Sequence, residues 1–180
     1  MKVTVYGASS AQMSTRFVEQ GQQLGRLIAE RGWTAVHGGG SHGMMGAVSD
    51  GGLDAGGNVT GVIPMFMVER GWLNPRLTDV VIAADMAQRK QLLREGADAI
   101  IVMPGGIGTF DEFFEAVTLR QLGQLDAVIV LVNLDGYYDS LLQMLHHAET
   151  EGLMRGIKQE YMFNVVADSE QAIALLDKTL

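Results

Sequence analysis

The chain has 180 residues, a length that fits one domain, and its 47% hydrophobic and 19% charged residues are typical of a soluble globular protein. Its net charge of −8 disfavours a general nucleic-acid surface, because like charges would repel a phosphate backbone. The absence of cysteine excludes disulfides and thiolate chemistry, and it fits a reducing, cytoplasmic setting. The longest aliphatic run, 127–132, is too short to span a bilayer, so we expect no membrane association.

Strand and helix patterns alternate along the chain. Strands are predicted at 3–7, 33–37, 59–63, 80–82, 98–103, 128–132 and 163–166. Helices are predicted between and after them at 13–31, 44–55, 86–95, 109–122, 138–149 and 169–178. Residues 64–78 are predicted to be irregular, because Pro64, Gly71 and Pro75 interrupt any regular pattern. Apolar strands that alternate with helices indicate one doubly wound α/β domain over residues 1–180, with a mostly parallel sheet covered by helices on both faces.

Three glycine-bearing loops are predicted at the carboxyl edge of this sheet, where such folds bind their ligands. They are residues 7–10, 38–43 and 104–109. None of them carries the Gly-Lys-Ser/Thr of a phosphate-binding Walker loop, and the first lacks the dinucleotide fingerprint. We therefore expect neither a nicotinamide nor any other cofactor.

The third loop is the most informative, since it joins a buried strand to a helix through Gly105, Gly106 and Gly108. Glycines let the backbone N–H groups point outward, and the helix start adds unpaired N–H groups and a partial positive charge, which together predict an anion site. The loop ends in Asp111-Glu112, which a phosphate cradle alone does not need. One alternative is a simple tight turn in which Thr109 or Asp111 caps the helix and the carboxylates complement its dipole. The other is chemistry beside a bound phosphate.

Two further groups of residues favour a functional site. Arg89-Lys90 lies near the start of a predicted helix. It is either a solvated basic pair or a site for an anionic ligand, and the second interpretation explains why a basic pair lies where it is poorly placed for the dipole. Glu112, Glu115 and Thr118 share one helical face. That face is either a solvated acidic stripe or a carboxylate surface turned toward the ligand, where it could stabilise the cation formed as a glycosidic bond breaks.

The remaining candidates are weaker. His37 and His42 flank the second loop without metal-ligand spacing, so we expect no metal. Met86 and Met103 could line a base pocket, although core packing is the simpler interpretation. Trp72 could cover a ligand or a partner surface, or be an ordinary partly exposed aromatic.

The segment 104–112, Pro-Gly-Gly-Ile-Gly-Thr-Phe-Asp-Glu, resembles the PGGxGTxxE signature of the LOG family. These enzymes are cytokinin riboside 5′-monophosphate phosphoribohydrolases, which are often mislabelled lysine decarboxylases. Residues 86–90, the second glycine loop at 38–46 and residues 133–140 are also similar to the family, so that the resemblance covers nearly the whole chain.

The resemblance implies a Rossmann-like homodimer that hydrolyses the N-glycosidic bond of a nucleoside 5′-monophosphate, such as AMP or a cytokinin ribotide, to free base and ribose 5-phosphate. By position, it implies that Arg89 and Glu112 form the catalytic pair. It also implies a substrate-binding set comprising Lys90, Gly105, Gly106, Gly108, Thr109, Glu115, Thr118, Gly40, Ser41 and Glu69. One departure lies near Gly71, where relatives carry a substrate-contacting Glu and this chain has only Glu69 nearby.

Two alternatives to this enzyme remain open from the sequence. A non-catalytic nucleotide-binding or sensor protein could use the same cradle. A pyridoxal-phosphate lysine decarboxylase would need a Schiff-base lysine, and the chain has only Lys2, Lys90, Lys158 and Lys178.

Overall fold

The computed structural model describes residues 1–154 and 162–180 and confirms the predicted doubly wound α/β fold. Seven strands form one sheet in the order β4-β3-β2-β1-β5-β6-β7, and every strand pair is parallel. The strands are β1 (Lys2–Tyr6), β2 (Thr34–His37), β3 (Asn58–Pro64), β4 (Asp79–Ala83), β5 (Ala99–Val102), β6 (Val128–Val132) and β7 (Asn164–Val166).

The helices follow the strands along the chain. They are α1 (Thr15–Glu30), α2 (Gly43–Asp54), α3 (Met65–Glu69), α4 (Met86–Arg94), α5 (Ile107–Gln121), α6 (Asp139–Thr150) and α7 (Ser169–Thr179), with a short 3-10 turn at Leu134–Gly136. Within the described ranges, no helix is long and apolar enough to cross a membrane.

Two apolar layers hold the sheet between the helices, because successive strand residues point to opposite faces. Val3, Val5 and Ile101 pack on one face against buried residues of α1, α2 and α7. Ile100 and Ile129 pack on the other face, in a cluster that includes residues of α4 and α5. Helices therefore cover both faces, as the uniformly apolar strands predict.

Two predictions near the cleft differ from the structure. Residues 65–69 form α3 inside the stretch predicted to be irregular; Pro64 precedes the helix and so does not break it, and α3 has no buried residue that could give a periodic signal. Helix α5 begins at Ile107 instead of Thr109, because Gly106 takes the N-cap position and Gly108 lies inside the helix.

The order of the strands reverses at β1, which lies between β2 and β5, and this switch point opens a crevice at the carboxyl edge of the sheet. The three glycine-bearing loops meet there. Ala8 N donates to Pro104 O at 3.2 Å, and Met44 N donates to Ala8 O at 2.7 Å. The loop after β1 is therefore the bridge between the other two.

Helices α1 and α2 pack very closely, and glycines make this approach feasible. A Cβ added at Gly25 would overlap the backbone carbonyl of Val48, and one added at Gly51 would overlap the carbonyl of Gln22. The close packing matters for the site because α2 follows directly from the second glycine loop.

We expect Gly25→Ala to lower the free energy of unfolding by about 1–3 kcal/mol, because the added methyl group overpacks the contact between α1 and α2. Denaturant titration followed by circular dichroism measures this loss. Gly108→Ala is the matched control, since Gly108 is also helical but has open space around its Cβ position. That control should be as stable as the parent or slightly more so, and equal losses in both variants would contradict the packing argument.

Candidate active site

A cleft of about 580 Å³ lies at the switch point of the sheet. All three glycine-bearing loops contribute to it, together with the segment around α3 and the first turns of α4 and α5. Its lining residues are Val5, Gly7, Ala8, Ser9, Ser10, Gly38, Gly40, Ser41, His42, Met45, Ile63, Met67, Trp72, Met86, Arg89, Gly106, Ile107, Gly108, Thr109 and Glu112.

The start of α5 forms one end of the cleft. The first backbone hydrogen bond of this helix runs from Phe110 N to Gly106 O at 3.0 Å, so that the N–H groups of residues 107–109 precede the intrahelical ladder. Gly106, Gly108 and Thr109 line the cleft, as the sequence predicts. Among the described residues, no side chain caps α5. This end of the cleft therefore has the features of an anion site.

The position of α5 corrects one interpretation of its carboxylates. Because the helix begins at Ile107, Asp111 and Glu112 lie beyond its first turn, where the favourable effect of the dipole on a carboxylate has fallen away. Gly106 occupies the N-cap position, so the alternative in which Thr109 or Asp111 caps the helix was wrong. Simple dipole compensation therefore does not explain these two residues.

Gly105 shapes the loop but does not line the cleft. A Cβ at this position would overlap the Thr109 side chain and lie 2.9 Å from Ala8 N. The carbonyl of Gly105 accepts a hydrogen bond from Tyr137 Oη at 2.7 Å. The glycine thus allows the loops after β1 and β5 to pack against each other.

Arg89 is buried at the centre of the site, although it is a charged residue. Its Nε donates to Val62 O at 3.1 Å, and its Nη2 donates to Gly38 O at 3.2 Å. Its Nη1 lies 3.4 Å from Glu112 Oε1. Two backbone carbonyls therefore fix the guanidinium in the cleft, where it faces Glu112, the residue that the family resemblance pairs with it.

Glu112 is almost as buried as its partner, with 12% of its side chain exposed. Burial raises the pKa of Glu112 to about 7, and the positive charge of Arg89 opposes this rise only in part. A carboxyl group that titrates near neutrality, beside a fixed cation in a cleft, is suited to general acid–base chemistry.

Lys90, Glu115 and Thr118 do not line this cleft. Lys90 Nζ lies 2.9 Å from Asp111 Oδ2 and 3.3 Å from Glu115 Oε2. The hydrogen bond that Lys90 donates to Asp111 is the main reason why the pKa of Lys90 is raised. Glu115 also pairs with Arg94 at 2.5 Å. Thr118 Oγ1 donates to the carbonyl of Phe114. The ion pairs of Lys90 and Arg94 with Asp111 and Glu115 therefore connect α4 to α5 beside the site.

The second glycine loop contributes Gly40 and Ser41 to the cleft, as predicted, but Glu69 does not line it. His37, which precedes the loop, is fully buried. Its Nδ1 accepts from Gly39 N at 3.0 Å, so its Nε2 carries the proton and donates to Ser49 Oγ at 2.7 Å. Burial, followed by the charge of Arg89, lowers the pKa of His37 to about 4. The neutral ring thus supports the loop and is not available as a metal ligand.

Several lining residues were not among the predicted site residues. Met67 lies in the stretch predicted to be irregular, and Met45 lies at the start of α2, directly after the second glycine loop. Ser9 and Ser10 belong to a loop recognised only by its position at the sheet edge. Trp72 and Met86 do line the cleft, which agrees with the functional interpretation of each, whereas Met103 is buried in the core.

Comparisons with known proteins identify the family. A family model described as "possible lysine decarboxylase" matches residues 45–176. The chain is 34% identical over 177 residues to a cytokinin riboside 5′-monophosphate phosphoribohydrolase of Arabidopsis thaliana. This match covers 98% of this chain and 83% of that protein. It is 37% identical over 175 residues to the enzyme of the same name from Rhodococcoides fascians, covering 97% and 88% of the two chains.

Solved structures show the same fold at lower identity. The molybdenum cofactor carrier protein of Chlamydomonas reinhardtii superposes with a TM-score of 0.76 at 20% identity, over 98% of this chain and 96% of that one. The molybdenum cofactor binding protein of Rippkaea orientalis gives a TM-score of 0.72 at 21% identity, over 98% and 94%. Identity at this level supports the fold alone, whereas the near-complete match to the phosphoribohydrolases shows that the chain belongs to the LOG family of cytokinin riboside 5′-monophosphate phosphoribohydrolases.

Proposed function

We propose that this protein hydrolyses the N-glycosidic bond of nucleoside 5′-monophosphates, releasing the free base and ribose 5-phosphate. The observation that carries the proposal is the buried pair of Arg89 and Glu112, which lies in the same cleft as the N-terminus of α5. A site for an anion and a carboxyl group that titrates near neutrality match the two ends of the ribose in such a substrate.

The phosphate would bind at the start of α5. Gly106, Gly108 and Thr109 line the cleft there, and the N–H groups of residues 107–109 precede the intrahelical ladder. Such N–H groups and the positive end of the helix dipole favour a dianionic group without any lysine. Ser9 and Ser10 line the same cleft and carry further hydroxyl donors.

Arg89 would orient the substrate through ribose or phosphate oxygens. Its side chain is already fixed by Val62 O and Gly38 O, so little conformational entropy is lost when it meets a ligand. A pre-positioned guanidinium also stabilises charge that develops during bond cleavage.

Glu112 would act at the glycosidic carbon. In its ionised form, the carboxylate can stabilise the oxocarbenium-like ribosyl cation and accept a proton from the attacking water. Burial strengthens both effects because fewer water molecules screen the charge. Glu112 is the carboxyl group that the cleft includes, whereas Asp111 is directed to Lys90.

The base would lie against the apolar part of the cleft, which includes Ile63, Met45, Met67 and Met86. Methionine side chains adapt to irregular apolar shapes. This surface suits adenine and its N6-alkylated derivatives, and so supports AMP and the cytokinin ribotides as substrates.

Lysine decarboxylation is poorly supported by the lysines near this site. Lys90 does not line the cleft, and its ion pairs with Asp111 and Glu115 favour the protonated form, which is not nucleophilic. Lys2 begins β1 at the opposite edge of the sheet, and Lys178 lies near the end of α7. Lys158 lies outside the described residues.

We expect Glu112→Gln to lower the release of ribose 5-phosphate from AMP and from isopentenyladenosine monophosphate by about 10²–10⁴-fold, since the amide can neither accept a proton nor stabilise a cation. Product assays on the purified protein measure this. Asp111→Asn is the matched control and should retain most activity. Undiminished release by Glu112→Gln would contradict the mechanism, and nucleotide binding without turnover by the parent would favour the sensor alternative.

The ionisation of Glu112 predicts a pH dependence. Below its pKa of about 7 the group is protonated and inactive as a base, so kcat/KM should fall as the pH drops through about 7 and be full above it. The phosphate of the substrate has a lower pKa, about 6, so its ionisation affects kcat/KM at a lower pH than the ionisation of Glu112 does. The charge of Asp111 contributes to the raised pKa of Glu112, so Asp111→Asn should shift the fall in kcat/KM to lower pH. A flat profile between about pH 6.5 and 8 would contradict a base with this pKa.

We also propose that the protein is a homodimer that associates through α4 and α5. Met86, Phe114 and Leu122 are exposed on or directly after these helices, at 39%, 40% and 54% of their surface. Lys90, Glu115 and Thr118 lie on the same helices outside the cleft of their own chain, which a neighbouring copy would explain. A cytoplasmic location stays a prediction, based on the absence of cysteine.

We expect Phe114→Glu to shift the protein from dimer to monomer, because a charge in the apolar centre of an interface is left without a partner. Size-exclusion chromatography with light scattering measures the mass. Met144→Glu, which places the same charge on the exposed surface of α6, is the control and should leave the mass unchanged. A dimer that survives Phe114→Glu would place the interface elsewhere.

A further inference from the structure

Trp72 is a large aromatic residue that lines the cleft and is nevertheless 47% exposed. It lies outside the motifs that identify the family. Neither the catalytic pair nor the anion site includes Trp72. The role of Trp72 must therefore be inferred from its position in the fold.

The backbone on both sides of Trp72 is fixed. Helix α3 ends in a Schellman motif, in which Gly71 N donates to Val68 O at 2.9 Å and Trp72 N donates to Met67 O at 3.1 Å. This motif needs the left-handed conformation that Gly71 adopts, with φ of 75°. Gly71 thus turns the chain so that Trp72 and Met67, which the motif brings together, both line the cleft.

The residues after Trp72 are tied to the second glycine loop. Leu73 forms an antiparallel bridge with Gly40, and Asn74 N donates to Gly39 O at 2.9 Å. The indole ring itself has a cationic neighbour, since the Arg70 guanidinium lies 5.3 Å from the Trp72 ring and 5.4 Å from the Phe66 ring. Trp72 is thus a positioned aromatic surface, not a residue on a free loop.

The sheet order separates Trp72 from the anion site. The anion site follows β5, and Trp72 lies beside the loop that follows β2, with only β1 between these strands. Two inter-strand spacings separate them, or about 10 Å, comparable with the length of a nucleoside monophosphate from phosphate to base. A nucleotide with its phosphate at α5 would direct its base toward Trp72.

We propose that Trp72 is the base-recognition residue of this site and stacks on the purine ring of the bound nucleoside 5′-monophosphate. Stacking on an aromatic ring recognises the base without using hydrogen bonds and tolerates substituents at its edge. This inference rests on the proposed nucleotide substrate but not on its hydrolysis. It assigns to Gly71, whose positive φ turns the chain after α3, the role of directing the aromatic ring.

Fluorescence tests this contact directly, because the chain has only two tryptophans, Trp33 and Trp72. A Trp33→Phe, Glu112→Gln double variant leaves Trp72 as the single indole and prevents consumption of the ligand. AMP should quench its emission in a saturable way, whereas ribose 5-phosphate should bind without quenching. AMP binding seen by calorimetry without a change in emission would overturn the proposal, as would equal quenching by ribose 5-phosphate.

Substitution of Trp72 in the otherwise unaltered protein is the second test. Trp72→Ala should raise the KM for AMP roughly tenfold or more, the loss expected for one stacked base, and Trp72→Phe should recover most of it. The inhibition constant of ribose 5-phosphate should stay unchanged in both variants, because that product has no base. If affinity for AMP and for ribose 5-phosphate falls in parallel, Trp72 only maintains the cleft and the proposal fails.

The two tests separate this inference from the proposed function. AMP that quenches Trp72 but is not hydrolysed would refute the hydrolase and retain base stacking. AMP that is hydrolysed with a KM indifferent to Trp72→Ala would refute stacking and retain the hydrolase. A parent protein that binds no nucleotide by calorimetry would refute both.

Discussion

The buried guanidinium of Arg89 is the constraint on which the rest of the site depends. Removing a charge from water is costly unless hydrogen bonds and an opposite charge replace the lost solvation. Val62 O at the end of β3, Gly38 O in the loop after β2, and Glu112 on α5 supply that replacement. Arg89 thereby joins three separate parts of the chain, because each contributes a group that contacts its guanidinium.

This constraint explains two features that look unrelated in the sequence. A Cβ at position 38 would overlap Arg89 Nη2, so the first glycine of the second loop is needed for the arginine to fit. The same burial surrounds Glu112, whose pKa rises to about 7 because desolvation outweighs the attraction of the neighbouring cation. The pKa of His37 changes in the opposite direction, because burial and the charge of Arg89 lower it to about 4 and keep the ring neutral.

The sequence predicts the parts of this structure that depend on local chemistry. Uniformly apolar strands and the glycine loops are sufficient to predict the parallel sheet and a ligand site at its carboxyl edge. The pairing of Arg89 with Glu112 is implied only by the resemblance to the family, and the two side chains do lie together in the cleft. Helix α3 was not predictable, since it buries no residue and therefore has no apolar stripe. The lining by Met67 depends on how distant elements pack, and nothing in the residues nearby signals it.

Asp111 and Glu112 show why adjacent residues with the same chemistry have different fates. Consecutive residues on a helix point about 100° apart, so Asp111 and Glu112 face different surroundings. Asp111 is directed outward to Lys90 and stays largely exposed, whereas Glu112 is directed inward to Arg89. The protein thus has a solvated carboxylate that joins α5 to α4 next to a desolvated one with a raised pKa.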